Sequence, residues 1–164
     1  MLLKILLLLF GFATLPFGGC GQQSAEELFA AGEAAATDPT SLDQAVGHFK
    51  AFLEKFAQDP KAPQALNKLA ALAQQQGQMQ EAIAYYERVL ADYPESGRGD
   101  EAQFMIAFIY EEYVRDVERA RLAYQRVIDL YPNSELAASA RHLLPNIGRN
   151  PEEWVEFQDG ASTQ

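Results

Sequence analysis

The stretch "RVLADYPES" (88–96) returns as "RVIDLYPNS" (126–134), displaced by 38 positions in a chain of 164 residues. Ala82, Tyr86, Val89 and Pro94 align with Ala120, Tyr124, Val127 and Pro132 at that same displacement of 38. Around the first copy, Ala82, Ile83, Tyr86, Val89, Leu90 and Tyr93 fall at offsets 0, 1, 4, 7, 8 and 11, which is one face of an α-helix. Ala45, Val46, Phe49, Phe52, Leu53 and Phe56 repeat those offsets 37 residues earlier. Each copy closes on an aromatic residue, followed by proline in two copies and by "AQDP" in the first. Proline has no amide donor and disfavours helix in the residue before it, so each segment stops there.

Other helices lie between these. "APQALNKLAALAQQQG" (62–77) is rich in helix formers and ends on Gly77, suited to a left-handed cap. "DEAQFMIAFIYEEYV" (100–114) is expected to start on Asp100 as N-cap, and "SAEELFAAGEAAA" (24–36) on Ser24. No segment alternates as a strand does. The reading is an all-α chain in which helix, tight turn, helix and proline stop recur three times.

Small residues where two helices touch, with proline closing a pair of about 34 residues, resemble the tetratricopeptide repeat. In the second unit the pattern falls on Leu66, Leu69, Ala70, Gly77, Ala82, Tyr86 and Pro94. In the third it falls on Ala107, Tyr110, Ala120, Tyr124 and Pro132, with one extra residue in the turn "RDVE". The first unit offers Gly32 and Ala45, with "TDPTSLD" lengthening its turn. The "YP-E/N-S" endings look like those of bacterial cell-envelope members, the outer-membrane assembly lipoprotein and Tol-Pal coordinator types. The resemblance implies a right-handed superhelical array of three hairpins, closed by the serine-capped helix "NSELAASARHLL" (133–144).

In that family the first helix of each unit lines a concave groove for a partner. Carried over, the groove positions are Glu26, Phe29, Glu33, Ala36 and Thr37, then Gln64, Asn67, Ala71, Gln74 and Gln75, then Glu101, Phe104, Phe108, Glu111 and Glu112. None is Lys or Arg, which excludes the carboxylate-clamp subclass. Phe104 and Phe108 are either core residues of a surrounded helix or outward anchors for a partner.

The ends carry their own signals. Lys4, the apolar run "ILLLLFGFATLPF" (5–17) and the small pair before Cys20 describe an export signal. Thirteen residues are too few to span a bilayer core, which needs about 20. The arrangement resembles a bacterial lipoprotein signal, with Phe17 where leucine is usual, and implies cleavage after residue 19 and a covalent lipid on Cys20. The expected organisation is signal 1–19, lipidated cysteine and tether 20–24, repeat domain 25–144, and a short helix and tail over 145–164. Gly21 resembles the sorting residue of lipoproteins sent to the outer membrane, so the expected place is its periplasmic face. From Cys20 to Ser24 the tether reaches at most roughly 14 Å. "GRNPEEWVEF" (148–157) has Asn150 as cap and Pro151 at the first helical position, and carries the only tryptophan, Trp154, with Val155 and Phe157. It either folds back over the end of the stack or docks on a partner.

A formal charge of −10 argues against nucleic acid, whose affinity depends on Lys and Arg neutralising phosphates. His48 and His142 lack companions at metal-ligand spacing. Glu111, Glu112, Asp116 and Glu118 alternate with Arg115 and Arg119 as a solvated helix face does. The chain is therefore read as a non-catalytic adaptor with no cofactor, metal or nucleic acid, holding a protein or peptide partner of the envelope. The alternative reading is an obligate structural subunit of an outer-membrane assembly or envelope-maintenance complex.

Overall fold

A computed structural model describes residues 23–149. They form seven α-helices and no strand: α1 (Ala25–Ala35), α2 (Leu42–Lys55), α3 (Ala62–Gln75), α4 (Met79–Asp92), α5 (Gly99–Ile109), α6 (Val117–Leu130) and α7 (Glu135–Leu143). The pairs α1/α2, α3/α4 and α5/α6 are the three expected hairpins. They stack in chain order, and α7 packs on α6 and α5 to close the array. The helix expected over 150–157 lies outside the described residues, as do the signal, Cys20, Trp154, Val155 and Phe157.

Repeat spacing translates directly into packing. The positions at offsets 0, 4 and 7 (Ala45, Phe49 and Phe52, then Ala82, Tyr86 and Val89, then Ala120, Tyr124 and Val127) are all buried. Each large side chain withdrawn from water here contributes roughly 1.5–3 kcal/mol. The alanines at offset 0 let the facing first helix approach. No single hairpin could bury this face alone, which is why the units share one interior.

The repeated tyrosine has a job of its own. The Tyr93 hydroxyl donates to the carbonyl of Ala57 at 2.8 Å, reaching back to the connection between α2 and α3. Tyr131 packs on the start of α5, where its Cζ would lie 2.7 Å from a Cβ on residue 99, so any larger residue in place of Gly99 would have to push the ring aside. The "YP" pair thus ends a helix through its proline, while its ring reaches back to an earlier connection (Tyr93) or to the start of its own hairpin (Tyr131).

The three turns differ in instructive ways. First and second helices start 17 residues apart in both of the first two hairpins. The long "TDPTSLD" connection is therefore a shortened α1 followed by a 3-10 turn, Pro39–Ser41, with Asp38 accepting from the Thr40 amide at 2.9 Å. In the third hairpin the interval is 18, and the extra residue is absorbed by a π-helical turn, Tyr110–Val114, after α5. A π turn takes in one residue while keeping both helices in phase. Its exit is Arg115, at φ 60° and ψ 31°, where the second hairpin has Gly77 at φ 73°.

The caps held in two of three cases. Ser24 accepts from the Glu27 amide while the Glu27 carboxylate accepts from the Ser24 amide, a complete capping box. Ser134 caps α7 by accepting from the Leu136 amide at 3.1 Å. Asp100 is not the N-cap of α5, which begins one residue earlier after Arg98. Its carboxylate instead accepts from the Ser134 hydroxyl, joining the start of α5 to the start of the closing helix.

Candidate functional site

The first helices α1, α3 and α5 present the positions expected to line a groove, and the structure divides them into three groups. One group is buried. Phe29 is 3% exposed, with its ring edge-on to Phe49 and Phe52 at 5.5 Å each. It was expected on the wall and belongs to the core. The aromatic residues of α2 are the reason, because Phe49 and Phe52 offer it two edge-on ring contacts. Phe104 is half-buried and packs edge-on against Tyr124 at 5.2 Å, leaning on the core. Phe108, one turn later, is half-buried and faces an open cleft.

A second group ties helices together. Glu26 and Glu33 of α1 pair with Lys61 at 2.5 Å and with Lys68 of α3 at 3.0 Å. Asn67 of α3 donates to Glu101 of α5 at 3.0 Å, and Arg98 approaches the same carboxylate at 3.4 Å. Gln74 donates to the Tyr86 hydroxyl at 3.1 Å, and the Tyr124 hydroxyl donates to Glu111 at 2.9 Å. The wall is thus less one-sidedly acidic than its fifteen positions suggested, since Lys61 and Lys68 reach it from neighbouring positions. Exposed pairs of this kind contribute at most about 1 kcal/mol each. Their value is in fixing how consecutive first helices align.

The third group makes no side-chain tie to a neighbouring helix among the described residues. Gln64 and Ala71 are half-buried, Gln75 and Glu112 are exposed, and neither glutamine makes a side-chain hydrogen bond among the described residues. Ala36 is half-buried, and Thr37 is exposed with its hydroxyl on the Ala34 carbonyl at 2.8 Å.

Residues 61–133 match the tetratricopeptide repeat family model. The matched stretch runs from the residue before α3 to the turn before α7, taking in the second and third hairpins. Among solved structures the chain is similar to a tetratricopeptide repeat protein from Parabacteroides merdae ATCC 43184, at 19% identity and a TM-score of 0.39. That similarity covers 75% of this chain, and the chain spans 59% of the other. No curated protein matches the chain significantly.

Within the tetratricopeptide stretch the buried hydroxyls are strongly perturbed. Burial pushes the Tyr86 hydroxyl up to about 12, against the pull of its bond from Gln74. Tyr124 is pushed higher still, by burial first and then by donating to Glu111. Both stay protonated at neutral pH, Tyr86 accepting from Gln74 and Tyr124 donating to Glu111, so each hydroxyl joins the two halves of its own hairpin. Phe49 takes the same place in the first hairpin without a hydroxyl.

The two histidines lie far apart in the sequence, on different helices. His48 lies half-buried on α2 and His142 lies exposed on α7. Among the described residues no group of His, Cys, Asp and Glu could hold a metal ion. The acids after α5 are engaged as a charged face: Arg119 pairs with Asp116 at 2.9 Å, and Arg115 lies 4.0 Å from Glu112. No described helix is long and apolar enough to cross a membrane.

One feature escaped the sequence. The cleft beside Phe108 is completed by Arg115 at the exit of the π turn, Val117 at the start of α6, Leu143 at the end of α7, and Asn146 and Arg149 in the corner beyond it. Its only advance signal was the extra residue in "RDVE", which puts the π turn at the cleft's edge.

Proposed function

We propose that this chain is a non-catalytic scaffold that holds a protein or peptide partner of the bacterial envelope along the wall of α1, α3 and α5. The observation that carries this reading is the shared interior of the three hairpins, with Glu26, Gln75, Glu101 and Glu112 on or just after the first helices left exposed. Repeat arrays use such extended faces for recognition. Along this face Gln64, Ala71 and Gln75 offer amide hydrogen bonding beside a small step, a surface that suits the backbone of an extended or helical segment. The match of residues 61–133 to the tetratricopeptide family supports the same reading.

The anchor is the second part of the proposal. Lipid on Cys20 ties the scaffold to the periplasmic face of the outer membrane, and the support is the run "ILLLLFGFATLPFGGC". One acyl chain holds a protein only marginally, whereas several on one cysteine hold it durably. Two experiments test the two parts separately. A photo-crosslinker at Gln75 in native membranes should capture one defined partner, while the same probe at exposed Glu87 on α4 should not. Identical products from both positions, or none from Gln75, would refute the wall. Cys20→Ser should move the protein out of the membrane fraction, and retention of that variant there would refute the anchor.

A further inference from the structure

The outer faces of the second helices can be compared position by position, because the repeat places them alike. Along one stripe α2 carries Gly47, Ala51 and Lys55, and α4 carries Ala84, Arg88 and Asp92. Arg88 pairs there with Asp92 at 3.4 Å, as residues of a solvated face do. The same stripe of α6 carries Leu122, Arg126 and Leu130. Both leucines are 62% exposed, and with Tyr113 they make up the exposed large hydrophobic residues among those described. Leu130 stands where α4 has its acid, and Arg126 forms no ion pair among the described residues. Isolated exposed leucines are ordinary. These two share one face, about a turn to either side of an unpaired cation. We infer that this face of α6 pairs with the same face of a second copy of the chain, the two helices running antiparallel about a two-fold axis at Arg126.

Three features favour a second copy as the occupant. The first is symmetry. In an antiparallel pair centred on residue 126, position 122 of one helix comes level with position 130 of the other. Leucine then meets leucine twice, as an isologous interface requires. The second is shape. Beside Leu130 the end of α6 opens into a recess of about 370 Å³, whose walls include Pro94, Tyr131 and Pro132. Leu122 of the second copy, level with Leu130, seats at the mouth of that recess. The third is charge. Asp129, which accepts from Gln125 at 2.9 Å, lies about 4.5 Å along the helix from Arg126. The two-fold axis brings the Asp129 of each copy within reach of the other's Arg126, so each guanidinium turns toward it and away from its twin. The pair across the axis restores the partnership that Arg88 has with Asp92 inside α4. A helix of 14 residues is about 21 Å long. One such contact buries less than the roughly 800 Å² per partner of a standard interface, so the association is weak and reversible. The pairing is independent of what the wall of α1, α3 and α5 holds.

Covalent trapping of the full chain in intact cells reads a weak pair directly. Residues that meet at the axis of a close helix pair come within the roughly 4.4–6.8 Å between Cα atoms that a disulfide needs. Arg126→Cys, oxidised with membrane-permeant diamide, should therefore give a disulfide-linked product of twice the chain's mass. Its yield should exceed that of Arg88→Cys, the same place on α4, by at least about fivefold. The parent chain, whose one cysteine is Cys20, sets the background. Adding Leu122→Glu to Arg126→Cys should lower the yield to that of Arg88→Cys, and Leu130→Glu should do the same from the other side of the axis. All four altered side chains are exposed, so each variant should keep the circular dichroism spectrum of the parent. Equal yields from Arg126→Cys and Arg88→Cys, or a yield that survives both leucine replacements, would overturn the pairing. A product joining Arg126→Cys to a different protein in place of a second copy would overturn it as well.

Discussion

Arg115 and Gly77 occupy matching exits from the first helices of neighbouring hairpins, and the two should respond to mutation with opposite signs. Gly77 sits at φ 73°, with nothing within 4 Å of the place a Cβ would take. Gly77→Ala therefore meets no steric obstacle from its neighbours, and its whole cost is the left-handed backbone, about 1–2 kcal/mol. Part of that is returned by the stiffer unfolded chain, so the expected net loss is roughly 1 kcal/mol. Arg115 already bears this strain at φ 60°, and its side chain is 75% exposed with a single 4.0 Å approach to Glu112. Such a contact contributes little. Arg115→Gly should thus stabilise by roughly 0.5–1 kcal/mol. For a domain of this size the two variants should melt about 3–5 °C below and about 2–4 °C above the parent, followed by far-ultraviolet circular dichroism. Should Arg115→Gly lower the melting temperature as much as Gly77→Ala does, backbone strain is not what distinguishes these turns. The side chain of Arg115 would then be holding the π turn in place.

Two further outcomes follow from the hydroxyls and the caps. Tyr86 holds its proton more tightly folded than unfolded, so the stability it contributes is complete below pH 10 and lost as pH rises from there to about 12. That loss amounts to roughly 2–3 kcal/mol, so Tyr86→Phe, about 1 kcal/mol weaker at pH 7 for want of the Gln74 bond, should show a flatter alkaline decline. Parallel declines in melting temperature for the two proteins would sink this account. Ser24→Ala removes the capping box of α1 at a cost of about 1 kcal/mol. Hydrogen exchange should then speed at the first-turn amides of α1 while α3 to α6 keep their protection, and uniform loss would mean the cap supports the whole array.

The face of each second helix was legible because its period is local: offsets of 0, 4 and 7 bury whatever neighbour the chain supplies. Ser24 and Ser134 were legible as caps because a cap bonds to amides two or three residues away. Asp100 was misplaced because a better use for its carboxylate, the Ser134 hydroxyl, lies 34 residues downstream. Phe29 was misplaced for a related reason. Its position in the repeat says wall, yet the space beside Phe49 and Phe52 drew it inward. The cleft residues Leu143, Asn146 and Arg149 could not be chosen in advance, since their meeting with Phe108 depends on how α7 packs across α5.

By itself, then, the sequence determined the class of structure, the number of hairpins and where each helix halts. Those features follow from hydrophobic periodicity, backbone stops and caps, all of which act over about a dozen residues. Only the tertiary structure decided which first-helix residues are spent on their neighbours, such as Glu33 with Lys68 and Asn67 with Glu101, and which stay free for another molecule. Exposure and pairing are properties of the space between helices. That space is set by side chains more than thirty residues apart, which no local period records.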